Sequence, residues 1–219
     1  MPYYYWWDPT YFLVIIGAVI CLLASAHVNN TFKKYAKYRS MSGMTGAQAA
    51  QRILNAAGIY DVEIRHVSGN LTDHYDPRNK TLSLSDSVYG SASVAAVGVA
   101  AHECGHAIQH AKSYAPLSIR SALVPIANFG SMLAWPVILI GLLFNTRSSG
   151  LIIDIGILLF SAAVLFQLVT LPVEFDASRR ALVMLRTQGI LADDELRYTR
   201  RVLKSAALTY VASAAAAIL

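Results

Sequence analysis

The sequence predicts a mainly α-helical membrane protein with three to four transmembrane helices and a small α+β unit outside the membrane. The 219-residue chain is 55% hydrophobic but only 14% charged, a balance too apolar for an ordinary soluble domain. Three apolar runs are each long enough to cross a hydrocarbon core of about 30 Å: residues 11–28, 121–144 and 151–173. Residues 29–115 contain no such run, so we expect them outside the membrane.

The first apolar run predicts an N-terminal anchor at residues 1–28. Its end, Ala24-Ser25-Ala26, is similar to a signal-peptidase cleavage site. The segment before the run, however, has no Lys or Arg and carries a cluster of Tyr and Trp, which is typical of a membrane interface. We therefore expect a retained transmembrane helix, with a cleaved signal peptide as the alternative.

The last apolar stretch, residues 205–219, predicts a fourth transmembrane helix. Its 15 residues rise roughly 22 Å as a helix, which is shorter than the hydrocarbon core. Adding Val202 and Leu203 gives the required length, provided that the Lys204 ammonium group extends to the interface. A packed core helix is the alternative.

The distribution of Lys and Arg predicts the orientation in the membrane. Four basic residues lie within 29–39 and seven within 174–204, whereas the loop between the second and third runs has only Arg147. Because basic loops stay in the cytoplasm, we expect both basic segments on the cytoplasmic side of the membrane. The net charge of +5 then reflects anchoring to the lipid bilayer, and no motif indicates a nucleic-acid partner.

The cytoplasmic segment 29–115 is predicted to combine strands with helices. Residues 62–67 have the pattern of a strand, and residues 71–85 have that of a hairpin. Ser91 or Ser93 is placed to cap the long helix that follows.

That long helix carries the sequence HECGH at residues 102–106, which is the HExxH pattern. The His102 and His106 side chains project from one helical face, about 6 Å apart along the axis, which suits a shared tetrahedral zinc ion. Glu103 lies beside them and is placed to act as a base. A helix with surface histidines is the alternative, but HExxH is rare by chance and its helix is predicted independently.

A zinc site in a hydrolase needs a third protein ligand. His110 lies roughly 12 Å along the helix from His102, too far to share one ion with it. The glutamates outside the motif are Glu63, Glu174 and Glu195. Glu174 follows the third apolar run, and two membrane crossings return the chain to the side of the HExxH helix. The other two glutamates have simpler explanations. Glu63 lies in a predicted strand and is interpreted as a surface residue, and Glu195 lies at a helix start, where acidic residues complement the helix dipole.

Three segments together resemble the YugP-type membrane zinc metallopeptidases of bacteria. They are DHYDPRNKTLSLSDSVYG at residues 73–90, GVAAHECGHAIQHA at 98–111 and LPVEFDASRRAL at 171–182. The resemblance extends over nearly the whole chain, and the combination of the three motifs is specific.

This resemblance implies a gluzincin-like site in a zincin-like cytoplasmic unit. One zinc ion would be held by His102, His106 and Glu174, with Glu103 as the catalytic base. Related membrane peptidases often have an acid four residues after the ligand glutamate, whereas this chain has Ser178 there. The implied activity is a zinc metalloendopeptidase acting at the cytoplasmic membrane surface on juxtamembrane or unfolded protein or peptide substrates.

In peptidases of this type an edge strand near the zinc helix commonly receives the substrate. Residues 81–85 alternate Leu82 and Leu84 with Thr and Ser, which is the period-2 pattern of a strand covered on one face. We therefore expect this strand to be that edge.

These observations divide the chain into five segments. They are an N-terminal transmembrane anchor (1–28), a cytoplasmic catalytic unit with the HExxH helix (29–115), a transmembrane hairpin (116–173), a cytoplasmic segment with the third ligand (174–204) and a fourth transmembrane helix (205–219).

Two other functions are compatible with parts of the pattern. An intramembrane protease would place HExxH inside a span, but the apolar run before the motif, residues 92–101, is too short to cross. A non-catalytic membrane scaffold could retain a zinc site, although structural sites surround zinc with four protein ligands and only three are evident here. The sequence does not indicate an oligomeric state.

Overall fold

The computed structural model describes residues 10–143 and 149–219. The N-terminal aromatic cluster and Arg147, both used in the sequence analysis, lie outside these ranges. The described residues form α1 (Thr10–Tyr35), α2 (Gly46–Ala56), β1 (Glu63–Val67), β2 (His74–Asp76), β3 (Thr81–Ser85), α3 (Val94–Ala111), α4 (Ala115–Leu143), α5 (Ser149–Thr187) and α6 (Asp193–Ile218). The predicted mainly α-helical fold with a small sheet is confirmed.

Three of the described helices are long and apolar enough to cross a membrane, so the chain is a membrane protein. Their bounds are Phe12–Tyr35, Ala115–Leu143 and Ser149–Thr187. Within the described part of the chain, α3 and α6 do not meet this criterion. Residues 205–218 form the second half of the single helix α6, and the membrane crossing of 205–219 stays a prediction.

The chain divides into two compact units. The membrane unit contains the residues up to Cys21, Ala115–Pro172 and Tyr210–Leu219. The HExxH unit contains Leu22–Tyr114 and Val173–Thr209.

Inside the membrane unit, glycines allow helix backbones to approach closely. A Cβ atom added at Gly130 of α4 would lie 2.5 Å from the carbonyl oxygen of Leu159 in α5. One added at Gly156 of α5 would lie 2.4 Å from the Ile138 side chain of α4. Such close contacts supply the van der Waals packing that holds helices together in lipid, where the hydrophobic effect does not drive helices to associate.

The HExxH unit has its own hydrophobic core, in which α2, β3 and α3 pack together. Ile53, Leu54, Leu82, Leu84 and Val97 have no exposed surface. Burying an aliphatic side chain of this size contributes about 1.5–3 kcal/mol, so these contacts fix the position of α3 against the sheet.

The sheet of the HExxH unit corrects the expectation for residues 81–85. Its strand order is β1-β3-β2, with β1 parallel and β2 antiparallel to β3. β3 is therefore the central strand, and all five of its residues are buried. The prediction that it is an edge was wrong because leucine–serine alternation indicates one apolar face but does not reveal the number of neighbouring strands. The predicted hairpin is confirmed as the β2–β3 pair.

The helix that carries HExxH begins with a serine cap. Ser93 has an extended backbone, and its side chain accepts a hydrogen bond from the Ala96 amide at 3.2 Å. Ser91 supports this cap, since its hydroxyl donates to Ser93 Oγ at 3.1 Å. Of the two predicted caps, Ser93 is the one used, and it sets the start of α3.

Candidate metal centre

The two histidines of the motif and a glutamate from a distant part of the sequence meet in the HExxH unit. His102 Nε2 lies 3.2 Å and His106 Nε2 lies 3.5 Å from the same oxygen, Glu174 Oε2. One ligand atom from each residue lies within 4.8 Å of the other two. The Glu174 side chain is 2% exposed, and the imidazoles are 13% and 10% exposed, so the cluster is accessible mainly from the histidine side.

This donor set has the chemistry of a zinc site. Two imidazole nitrogens and one carboxylate oxygen are the ligands that catalytic zinc takes in HExxH hydrolases, and three protein ligands leave a fourth position open. In the ranges that the structure describes, this is the one group of three or more His, Cys, Asp or Glu residues arranged to hold a metal ion. Because both Nε2 atoms face one carboxylate oxygen, the two Nδ1 atoms remain available for protein partners.

Glycine at position 105 allows the two helices of the site to come together. A Cβ atom added at Gly105 would lie 2.5 Å from the carbonyl oxygen and 3.0 Å from the Cα atom of Ala177. Gly105 lies between the two histidines on α3, and Ala177 is three residues after Glu174 on α5. The direct contact of the two backbones therefore brings the carboxylate to the imidazoles.

Each histidine of the cluster has a partner at its Nδ1 atom. Ser178 Oγ lies 3.1 Å from His102 Nδ1, and Gln109 Oε1 lies 3.1 Å from His106 Nδ1. The hydroxyl of Ser178, one helical turn after Glu174, thus reaches His102 from the position where related peptidases often have an acid. Gln109 was not recognised from the sequence, since two of its three partners, Val173 and Asp176, lie on α5.

Glu103 follows His102 on α3 and is buried, with 8% of its surface exposed. Burial raises the pKa of this carboxyl to about 7, and the nearby Glu174 carboxylate acts in the same direction, whereas His102 opposes the shift. A carboxyl with a pKa near neutrality both takes up and releases a proton readily.

The other acidic and imidazole candidates have structural roles. His110 Nδ1 lies 2.8 Å from the Tyr75 hydroxyl, outside the three-residue cluster. Glu63 forms an exposed ion pair with Arg65. Glu195 accepts hydrogen bonds from the backbone amides of Met41 and Ala192, at 2.7 and 2.8 Å.

An HExxH helix that meets a glutamate from a later helix is the arrangement found in glutamate-type zinc metallopeptidases. The model of the family described as "Putative neutral zinc metallopeptidase" matches residues 10–219, and the chain belongs to this family. The chain is also 45% identical over 203 residues to the "Putative membrane protease YugP" of Bacillus subtilis (strain 168), which covers 93% of this chain and 89% of that protein. The predicted family is thereby confirmed. No solved structure matches the chain significantly.

The close backbone contact at Gly105 can be tested by substitution. We expect Gly105→Ala to force α3 and α5 apart, because the added methyl group would overlap the Ala177 backbone. Overpacking of this kind costs about 1–3 kcal/mol, and the separation should also lower the zinc content of the purified protein. Thermal unfolding and metal analysis measure the two effects.

Gly90→Ala is the matched control, since a Cβ atom there meets nothing within 4 Å. If Gly105→Ala unfolded at the wild-type temperature and kept the wild-type zinc content, the contact would not be the determinant of this site.

Proposed function

We propose that this protein is a zinc-dependent endopeptidase that hydrolyses peptide bonds at the cytoplasmic surface of a bacterial inner membrane. The observation that carries the proposal is the convergence of His102, His106 and Glu174 beside the buried carboxyl of Glu103. The family description and the name of the YugP relative support a zinc-dependent protease.

In this proposal His102 and His106 bind one zinc ion through their Nε2 atoms, and Glu174 binds it through its carboxylate. When bound, zinc acts as a Lewis acid that increases the acidity of water and polarises a carbonyl group. The cluster leaves room for these roles because Ser178 and Gln109 occupy only the Nδ1 sides of the imidazoles.

Glu103 performs the proton transfers. Its carboxylate takes a proton from the attacking water, and the resulting carboxylic acid gives that proton to the leaving amine as the peptide bond breaks. Burial suits Glu103 to both steps, because it stabilises the neutral acid that forms between them.

The edge strand β2 is the place where we expect the substrate to bind. β2 pairs with β3 on one side, and no other described strand pairs with it. It also adjoins α3, because the Tyr75 hydroxyl on β2 lies 2.8 Å from His110 Nδ1. An extended peptide that adds to this edge binds through main-chain hydrogen bonds, so juxtamembrane or unfolded segments are suitable substrates.

The first prediction separates the ligands from the base. We expect His102→Ala, His106→Ala and Glu174→Ala each to lose zinc, because each removes one of three ligands. Glu103→Gln should keep zinc and lose about 10²–10⁴-fold in proteolysis, as expected when a general acid–base group is removed. Metal analysis of purified variants measures the first effect, and comparison of the peptides released in membranes carrying wild type or Glu103→Gln measures the second.

Matched controls are His66→Ala and Glu63→Ala, whose exposed side chains contact Asp86 and Arg65 and are not members of the cluster. Stoichiometric zinc in Glu174→Ala would refute Glu174 as a ligand. Unchanged cellular function and an unchanged peptide profile in Glu103→Gln would instead favour a non-catalytic scaffold with a zinc site.

The second prediction concerns orientation and follows from the Lys and Arg distribution. In a variant without Cys21 and Cys104, a cysteine at Ser42 or Thr187 should resist an impermeant thiol reagent added to intact cells. A cysteine at Ser148, outside the described residues, should react. Permeabilised cells provide the control, since Ser42 and Thr187 are both exposed in the structure. Labelling at Ser42 in intact cells would place the site on the opposite side of the membrane.

The third prediction tests β2 as the substrate edge. Along a strand, successive N–H groups point to opposite sides, so either His74 or Tyr75 directs its N–H away from β3. Proline removes that donor, and we expect His74→Pro and Tyr75→Pro to differ. The proline variant at the residue whose N–H points away from β3 should cleave peptides more weakly, with zinc content and unfolding temperature unchanged. The other proline variant loses a hydrogen bond to β3 and should destabilise the sheet. Full cleavage activity in both folded variants would exclude this edge.

A further inference from the structure

Gln109 is a fully buried amide whose polar atoms all have partners within the HExxH unit. It has no exposed surface. Its Nε2 lies 2.8 Å from the carbonyl oxygen of Val173 and 3.0 Å from Asp176 Oδ2. Its Oε1 lies 3.1 Å from His106 Nδ1. The side chain thus connects α3, the helix of the two histidines, to the turn of α5 that carries Glu174.

The two partners on α5 determine which way the amide faces. A peptide carbonyl is only an acceptor, and an ionised carboxylate is only an acceptor. Both therefore require the NH₂ group of Gln109, and both of its hydrogens are used. Rotating the amide by 180° would place its oxygen against two acceptors, so Oε1 must face His106.

This orientation in turn determines the tautomer of His106. Oε1 is an acceptor, so His106 Nδ1 must donate, and the proton of the neutral imidazole is on Nδ1. The Nε2 atom then has a free lone pair, and Nε2 is the atom that faces Glu174 Oε2 at 3.5 Å. The amide therefore presents His106 in the one neutral form whose Nε2 binds a cation.

The Asp176 carboxylate keeps this chain of hydrogen bonds in one direction. Its side chain is 7% exposed, and it forms ion pairs with Arg179 and Arg180 on the same helix. Two guanidinium groups stabilise the ionised form of Asp176, which remains an acceptor towards Gln109. The orientation of Gln109 is thus fixed by a backbone carbonyl and a carboxylate that are not among the proposed zinc ligands.

The partner of His102 does not impose the same restriction. A serine hydroxyl both donates and accepts, so the contact between Ser178 Oγ and His102 Nδ1 is compatible with either tautomer. The two histidines of the motif are therefore held in different ways.

We propose that Gln109 is a positioning residue that holds His106 in the Nδ1-protonated tautomer and couples the orientation of its ring to the α5 turn that carries Glu174. The role in zinc binding rests on the proposed function, whereas the tautomer is a property of the metal-free protein as well. Partners of this kind orient metal ligands, and their removal typically costs about 10–100-fold in metal affinity.

Gln109→Met tests the proposal, because methionine has a similar length but neither the donors nor the acceptor. We expect zinc affinity, measured by competition with a chromophoric chelator, to fall about 10–100-fold. In metal-free protein labelled with ¹⁵N-histidine, at a pH where the imidazole is neutral, the wild type should show His106 protonated on Nδ1. The Met variant should lose this preference. The His106 signal is assigned by its absence in His106→Ala.

Gln51→Met is the matched control, since Gln51 is exposed and its amide donates a hydrogen bond to Asn55 of the same helix. It should leave both measurements unchanged. A role limited to packing would lower the unfolding temperature of Gln109→Met but leave zinc affinity and the His106 tautomer as in the wild type. That outcome would overturn the proposal.

The double variant Gln109→Glu, Asp176→Asn covers the case in which Gln109→Met does not fold. It exchanges the carboxylate and the amide, so one carboxylate oxygen at 109 still accepts from His106 Nδ1 and the amide at 176 donates to the other. The Val173 carbonyl loses its donor, so we expect a lower unfolding temperature but retention of the Nδ1-protonated tautomer. A folded double variant with His106 protonated on Nε2 would contradict the proposal.

The two proposals fail in different ways. Wild-type protein that neither binds zinc nor cleaves peptides, yet shows the Gln109-dependent tautomer, would refute the proposed function and leave the positioning role intact. Zinc-binding, active wild-type protein whose Gln109→Met variant has the same affinity and tautomer would refute only the positioning role.

Discussion

The direct contact between the backbones of α3 and α5 at Gly105 and Ala177 is the constraint on which the site depends. Side chains of ordinary size at both positions would keep two helices 8–10 Å apart, whereas a Cβ atom at Gly105 would already overlap the Ala177 carbonyl. Glu174 lies one turn before this contact on α5, and His102 and His106 lie on either side of it on α3. The approach thus places a carboxylate within 3.5 Å of both imidazoles.

Bringing these groups together buries two carboxylates, and each of them has cationic or imidazole groups beside it. Glu174 and Asp176 are two carboxylates within one turn, with 2% and 7% of their surface exposed. An unpaired buried carboxylate is strongly unfavourable. Arg179 and Arg180 pair with Asp176, whereas Glu174 faces two imidazoles. In the proposed function, a bound divalent cation would add positive charge beside the Glu174 carboxylate.

The parts of this site that were predictable from sequence are those that follow from helix periodicity and membrane parity. His102 and His106 share a face because they are four residues apart, and the two apolar runs before Glu174 predicted that it returns to their side of the membrane. The position of β3 was not predictable in this way, since Leu82 and Leu84 show only that one face is apolar. Strand order depends on pairing with β1 and β2, which the local pattern does not contain.

The supporting contacts were beyond sequence reasoning for a different reason. Gln109 meets Val173 across 64 residues and Ser178 meets His102 across 76, and neither glutamine nor serine is a residue type that signals a metal site. Both partners are neutral, whereas a carboxylate at Nδ1 raises the basicity of a metal-binding imidazole. In the proposed set, Glu174 is the one anionic ligand, and neither histidine has a carboxylate at its Nδ1 atom. The negative charge of Asp176 is paired with two arginines. The proposed ion would thus keep more of its positive charge than it would beside carboxylate-paired histidines. That charge is the quantity on which its Lewis acidity depends.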